Sequence, residues 1–282
     1  MRVRMPKFDF TQSRGRWMPK AGEFSHILNA NSVVIPYLEP FLNRVMARAR
    51  AEIKGQDPES QRVREDISTF IKQESCHYTI HGAFNEMLLR EGYTEIPEIQ
   101  KRVKAHYDRL LRTKSLPFLV AYCEGFESLV PPTGASWFNG EMDRMTEGAE
   151  PNAMNMWRWH IMEEFEHRTV CHDAYKALGG NDLLRAYGFF YQLFSLGRMV
   201  GWAYRHMLAV DRAGMTPEEA AKSKRNSRRT IKSFFGPIFT AMPRILSPSY
   251  SPRQIPDPKG WASARDDIET HWMGSSDRAA QA

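Results

Sequence analysis

The sequence predicts an all-α protein: a helical bundle with extra helices and an extended, proline-rich C-terminal segment. Three observations support this. Apolar residues recur at three- and four-residue spacing through most of the 282 positions. The helical stretches begin and end on recognisable signals. No alternating strand pattern and no hairpin turn can be read in the chain.

The expected helices span 25–54, 60–91, 95–112, 115–129, 152–178 and 183–213, with shorter ones at 217–235 and 260–272. Gly55 follows the first. Asp57-Pro58 opens the second, where a carboxylate can take an orphan N–H and proline has none to lose. Gly92 ends the second helix and Gly179-Gly180 the fifth, as glycine enters the left-handed conformation freely. Thr216-Pro217-Glu218-Glu219 reads as an N-cap, an N1 proline and first-turn acids. Residues 130–151, with Pro131, Pro132, Gly134, Gly140, Gly148 and Pro151, read as a long loop. Residues 236–258 hold six prolines and read as an extended tail over the body. Residues 274–282 read as loose. The chain thus divides into a basic N-terminal arm (1–24), a helical bundle (25–213), and C-terminal helices with a tail (214–282).

The formal net charge is +6, from 39 Lys+Arg against 33 Asp+Glu. Its location matters more than its size. Arg2, Arg4, Lys7, Arg14, Arg16 and Lys20 face one acid, Asp9, in the arm. Lys222, Lys224, Arg225, Arg228, Arg229 and Lys232 face none in a late segment. The remaining body is therefore net acidic, which argues against nucleic acid, since that partner wants a basic folded face. It leaves room for an acidic partner or an anionic membrane surface. Three scattered cysteines, Cys76, Cys123 and Cys171, make neither a disulfide framework nor a thiolate metal site, and point to a reducing, cytoplasmic setting. The basic N-terminus leads into no apolar leader segment. The most apolar stretch, Leu183 to Leu208, contains Arg185, Arg198, Arg205 and His206, so it reads as a buried or membrane-surface helix rather than a span.

The chemistry sits in two Glu-x-x-His motifs on separate long helices. In Gln73-Glu74-Ser75-Cys76-His77-Tyr78-Thr79-Ile80-His81, Glu74, His77 and His81 share one face. In Trp157-Arg158-Trp159-His160-Ile161-Met162-Glu163-Glu164-Phe165-Glu166-His167, His160, Glu164 and His167 do the same. Dinuclear carboxylate sites in helical bundles take one Glu from each of two helices and one Glu-x-x-His from each of two more. Carboxylates bridge and neutralise two cations, and imidazoles complete their shells. The two further glutamates are expected at Glu39 and Glu124, each an acid within an apolar run and costly there unless paired or metal-bound. Glu127, three residues on, is the alternative to Glu124. His160 is in register to ligate. His81 and Glu163 stand as ligands or as groups behind them. His26 and His172 read as structural.

At these residues the chain resembles the predicted metal-dependent hydrolase family of bacteria, a ferritin-like group. The resemblance rests on QESCHYTIH, ending at His81, and WRWHIMEEFEHRTVCHDAY, from Trp157 to Tyr175, and runs from about Ser25 to the proline-rich tail. It implies metal binding at Glu39, Glu74, His77, Glu124, Glu164 and His167, with His81 and His160 also matching family histidines. The chain departs from the family pattern at Leu38 and Pro40, where glycine usually precedes the first glutamate, and at Gly125, where an imidazole is common. The His160, Glu164, His167 spacing is also similar to that of di-iron arylamine N-oxygenases.

The expected activity is that of a dinuclear metal enzyme. Iron is the expected metal, with manganese or zinc as alternatives, and the reaction is O2-dependent oxidation of a small apolar or aromatic substrate with an external reductant. The alternatives are a metal-dependent hydrolase using the same ligands and a non-catalytic helical binding protein. Trp157, Phe190 and Phe194 are the expected substrate walls, against the plainer reading of such stripes as core. A homodimer and peripheral membrane contact through the late basic segment are compatible with the sequence.

Overall fold

The computed structural model describes residues 1–273. It holds α1 (Gly22–Glu52), α2 (Pro58–Arg90), α3 (Ile96–Thr113), α4 (Leu116–Glu127), α5 (Val130–Phe138), α6 (Asp143–Thr146), α7 (Pro151–His167), α8 (Val170–Ala177), α9 (Asp182–Ala213), α10 (Pro217–Ile245), a 3-10 turn (Pro252–Gln254) and α11 (Trp261–His271). No strand occurs among the described residues, so the all-α expectation stands. The expectation for residues 274–282 lies outside them.

The helix ends follow their local chemistry. The Asp57 side chain accepts from Ser60 N–H at the start of α2. Thr216 and Glu219 form a reciprocal capping box on α10. Gly92, with φ of 94°, and Gly179, with φ of 72°, turn the chain after α2 and α8. Three boundaries differ from expectation. Residues 130–151 are not one loop but contain α5 and α6, because Pro131 and Pro132 fall in a first helical turn, where their missing N–H groups are not needed. The stretch 152–178 is two helices, broken at Arg168-Thr169 just past His167. The extended tail begins later, since α10 runs through Pro237 and Pro243 to Ile245.

α1 lies along α2, and α4 along α9; α1 also meets α9 and α4, while α7 and α8 close against α2 and α4. The α4–α9 contact is close at two glycines. A Cβ on Gly125 would stand 2.7 Å from the Phe189 Cα, and one on Gly188 would stand 2.6 Å from the Ala121 carbonyl carbon. This packing accounts for Gly125, since an imidazole there would strike the α9 backbone. In α1, Pro36 and Pro40 flank Glu39. Pro36 cannot bond the Ser32 carbonyl one turn back. Asn85 Nδ2 of α2 donates to that carbonyl instead, at 2.8 Å. Phe41, Phe70, Phe84 and Trp159 are fully buried around this axis, each contributing roughly 1.5–3 kcal/mol by its burial.

The basic arm is not a free surface. Arg4 is buried against Glu163, Glu166 and Glu269, Arg14 meets Glu91, Arg16 meets Asp211 and Glu23, and Lys20 meets Glu147. The acidic body is the arm's partner. Asp211 of α9 ties several of these pieces together. It accepts from Arg16 Nη1 and His26 Nε2 at 2.8 Å each and from the Tyr93 hydroxyl at 2.9 Å. Against the opposing effect of burial, His26, then Arg16 and Tyr93, hold its carboxyl well below the usual range.

A depressed carboxylate stabilises the fold fully above its unfolded pKa, near ~3.9, and that contribution is lost as pH falls through and below this value. Asp211→Asn is therefore expected to cost on the order of 2 kcal/mol at neutral pH and to flatten the fall in stability below about pH 4. Urea unfolding across that range checks both. An unaltered acid limb would show that Asp211 contributes nothing to it.

Candidate metal centre

Four helices deliver one buried constellation. Glu39 comes from α1, Glu74 and His77 from α2, Glu127 from α4, and His160, Glu164 and His167 from α7. These form two groups, Glu39–His77–His160–Glu164 and Glu74–Glu127–Glu164–His167, and within each the donor atoms all lie within 4.8 Å of one another. Glu164 belongs to both. Its Oε1 lies 3.4 Å from His77 Nδ1 and 3.5 Å from His160 Nε2, and its Oε2 lies 3.4 Å from His167 Nε2. Glu74, of the second group, also reaches toward the first, with Oε2 3.8 Å from His77 Nδ1 and Oε1 3.2 Å from His167 Nε2.

Both oxygens of Glu39, Glu74, Glu127 and Glu164 are buried without a hydrogen-bond partner, as are His77 Nδ1 and His167 Nε2. Unpartnered carboxylates inside a protein are strongly unfavourable. Burial first, then the neighbouring carboxylates, raises Glu39 and Glu127 well above the ordinary range; Glu74 is raised for the same reasons. Glu164 is held well below it because, against burial, it faces His167, His77 and His160. Two divalent cations would match four carboxylates in charge, and an all-oxygen-and-nitrogen donor set suits such ions. These groups could hold metal ions.

The hydrogen bonds behind the imidazoles agree with that use. His77 Nε2 meets Glu163 Oε2 at 3.2 Å, so its N–H points away from the centre. His167 Nδ1 meets Gln73 Oε1 at 3.2 Å, with the same result for Nε2. Behind His160 runs a longer line. Asn85 Nδ2 donates to the Ser32 carbonyl, so Asn85 Oδ1 accepts from the Ser32 hydroxyl at 2.8 Å. The Ser32 oxygen then accepts from His81 Nδ1 at 2.8 Å, and His81 Nε2 accepts from His160 Nδ1 at 3.2 Å. This order leaves the His160 Nε2 lone pair facing Glu164. All three imidazoles have one nitrogen engaged from outside and turn the other toward the centre; against burial, the surrounding carboxylates raise His77 and His167 above the ordinary range. Burial first, then His77, lowers His160 to about 3.

The arm reaches this shell. Arg4 Nη1 donates to Glu163 Oε1 at 3.1 Å, and Gln73 Nε2 donates to the Arg2 carbonyl at 2.9 Å and to Glu166.

The structure therefore gathers Glu39, Glu74, His77, His160, Glu164 and His167 and places His81 and Glu163 behind them. The expectation for Glu124 is corrected. Its Oε1 lies 3.0 Å from His172 Nδ1 and 3.6 Å from Arg185, at the junction of α4, α8 and α9. Glu127, the alternative, takes the inward position one helical turn later. Two of the substrate walls are corrected as well. Phe190 and Phe194 are 48% and 75% exposed, because α9 turns its opposite stripe, with Gly188, Gln192 and Met199, toward the bundle. Trp157 does line a cavity of about 290 Å³, with Leu38, Phe126, Val200 and Phe234 among its walls and His160 and Glu164 also in its lining. Sequence reasoning missed Gln73, Ser32, Asn85 and the buried Arg4. Polar residues at helix positions carry no signal of what they face. The local sequence does not separate Glu127 from Glu124, because the packing of α4 on α9 at Gly125 decides between them.

A helical bundle holding two such groups, joined through a shared glutamate, defines a class of protein equipped for metal-dependent chemistry. The family model described as a predicted metal-dependent hydrolase matches residues 2–255, and the chain belongs to that family. No curated protein and no solved structure matches it. No helix among the described residues is long and apolar enough to cross a membrane.

Elemental analysis after loading separates the two glutamates of α4. Glu127→Ala is expected to lose metal, whereas Glu124→Ala keeps it and loses on the order of 1–3 kcal/mol through the lost His172 contact, since Arg185 retains the Ile245 and Ser247 carbonyls. Metal loss in Glu124→Ala alone would reverse the assignment. In chelator-treated protein, Glu39→Gln is expected to gain roughly 1–3 kcal/mol by removing a buried carboxyl that must either stay charged or take up a proton, while losing the stabilisation that metal gives the parent; thermal melts with and without chelator read both.

Proposed function

We propose that the chain is a dinuclear-metal oxidase or oxygenase of the ferritin-like kind, with iron as its metal and a small apolar or aromatic molecule as its substrate. The observation that carries this reading is the pair of buried Glu/His groups sharing Glu164 and facing an apolar cavity. Glu39, His77 and His160 would hold one ion, Glu127 and His167 the other, with Glu74 and Glu164 spanning them. Iron bound there supplies the activation of O2. The chain supplies the rest. Leu38, Phe126 and Trp157 exclude water and hold an apolar substrate against His160 and Glu164 in the same lining. Ser32 and His81 keep the His160 Nδ1 proton on the outer side, so that Nε2 stays free to ligate. An external reductant is required to renew the centre.

Hydrolysis is the second reading, favoured by the family's description. The same residues would then hold ions that activate water.

The test is to load the protein with ferrous iron without oxygen and then admit O2 in the presence of small aromatic amines, phenols and aryl esters. The expected outcome is a change in the optical spectrum on exposure and product formation that requires O2. Ester cleavage that proceeds equally without oxygen, with zinc or manganese in place of iron, would establish hydrolysis instead.

A further inference from the structure

The cavity at the metal centre has a neighbour of different chemistry. A second cavity of about 430 Å³ lies between α9 and α10, and the two share Gly197, Val200, Phe234 and Phe235 as lining. Arg205, Arg212, Lys224 and Arg228 line the second cavity, and no Asp or Glu does. Arg212 is occupied by the Ser223 and Ser227 hydroxyls. Arg205, Lys224 and Arg228 form no ion pair or side-chain hydrogen bond among the described residues. Along the arm the cations face acids, whereas here three cations face one hollow with no acid in its lining. Gathering like charges is unfavourable unless an anion joins them. Tyr204, 6% exposed, adds a hydroxyl with no hydrogen bond of standard geometry.

The boundary between the two spaces is thin at Gly197. A Cβ there would meet nothing within 4 Å, so the α9 backbone leaves open room where the basic cavity adjoins the apolar one. The apolar cavity has His160 and Glu164 in its lining.

We propose that the two cavities form one binding site for an anionic amphiphile. Its carboxylate or phosphate headgroup is held by Arg205, Lys224 and Arg228. Its apolar chain passes Gly197 and ends at the metal centre. This names a substrate class for the reading given above and rests on it: the molecule acted on is a chain with an acidic head, and the head fixes which part of the chain meets the centre.

The test uses dodecanoate, dodecyl phosphate, dodecanol and inorganic phosphate, each below its aggregation concentration, titrated calorimetrically into metal-loaded and chelator-treated protein. Dodecanoate and dodecyl phosphate are expected to bind at least about tenfold more tightly than dodecanol or inorganic phosphate, the scale of one charge-assisted contact or of a buried chain. The exposed pair Arg205→Ala/Arg228→Ala is expected to weaken both amphiphiles about tenfold or more and to leave dodecanol and the metal content unchanged. Gly197→Phe, which improves helix propensity and so leaves folding intact, is expected to weaken the amphiphiles while metal content stays constant. Dodecanol binding as tightly as dodecanoate, inorganic phosphate binding as tightly as dodecyl phosphate, or indifference to Gly197→Phe would each overturn the proposal. Amphiphile binding without oxidation would sink the oxidation reading and leave this site standing. Oxidation of uncharged aromatics with no amphiphile binding would do the opposite.

Discussion

Four carboxylates share one buried interior volume, and none of their oxygens has a hydrogen-bond partner in the protein. The rest of the structure depends on this constraint. Left alone, such a cluster can relieve itself only by taking up protons or by pairing with the imidazoles between them, and the shifts of Glu39, Glu127 and Glu164 in opposite directions express that compromise. Everything around the cluster prevents escape. α1, α2, α4 and α7 are locked together by large side chains such as Phe41, Phe70 and Trp159, so the acids cannot swing out to water. The fold thereby stores an unfavourable arrangement that two cations would make favourable, and packing elsewhere holds it in place.

The second layer fixes direction. Each inward imidazole has its outer nitrogen engaged, by Glu163, by Gln73 or by the Ser32–His81 line. The proline that disrupts α1 beside Glu39 is part of the same device, since the Ser32 carbonyl it frees orients Asn85, and Asn85 orients Ser32. A local break in one helix thus sets the proton position on a histidine two residues away along a hydrogen-bonded line. Orientation of this kind fixes tautomers without flexible loops.

Much of this was legible in the sequence, and the reasons are physical. Helical periodicity and end signals are local, so α1, α2, α3 and α9 could be placed to within a few residues. The two Glu-x-x-His motifs were legible because a three-residue interval puts both groups on one face whatever the tertiary context. Glu39 stood out as an acid in an apolar run. Glu124 satisfied that criterion as well, and its neighbours were not enough to decide between it and Glu127. The choice depends on which side of α4 packs against α9, and that is settled by Gly125 and Gly188, residues from distant parts of the chain. Phe190 and Phe194 failed for a related reason: an apolar residue on a long helix has no inside or outside until its partners are known. The proline-rich stretch after Gly236 misled because Pro237 and Pro243 are accommodated on a helix with much of its surface exposed.

Arg4 adds a temporal consequence. It lies 159 positions before Glu163 and 265 before Glu269, so a ribosome releases it long before either partner. Its docking closes loops that span most of the chain, and such contacts form late because loop entropy opposes them until the intervening elements are in place. Until then Glu163 lacks its guanidinium, and the support behind His77 is incomplete. Maturation of the centre is thereby tied to completion of the fold, and a partly synthesised chain carries the ligands without the clamp that aligns them.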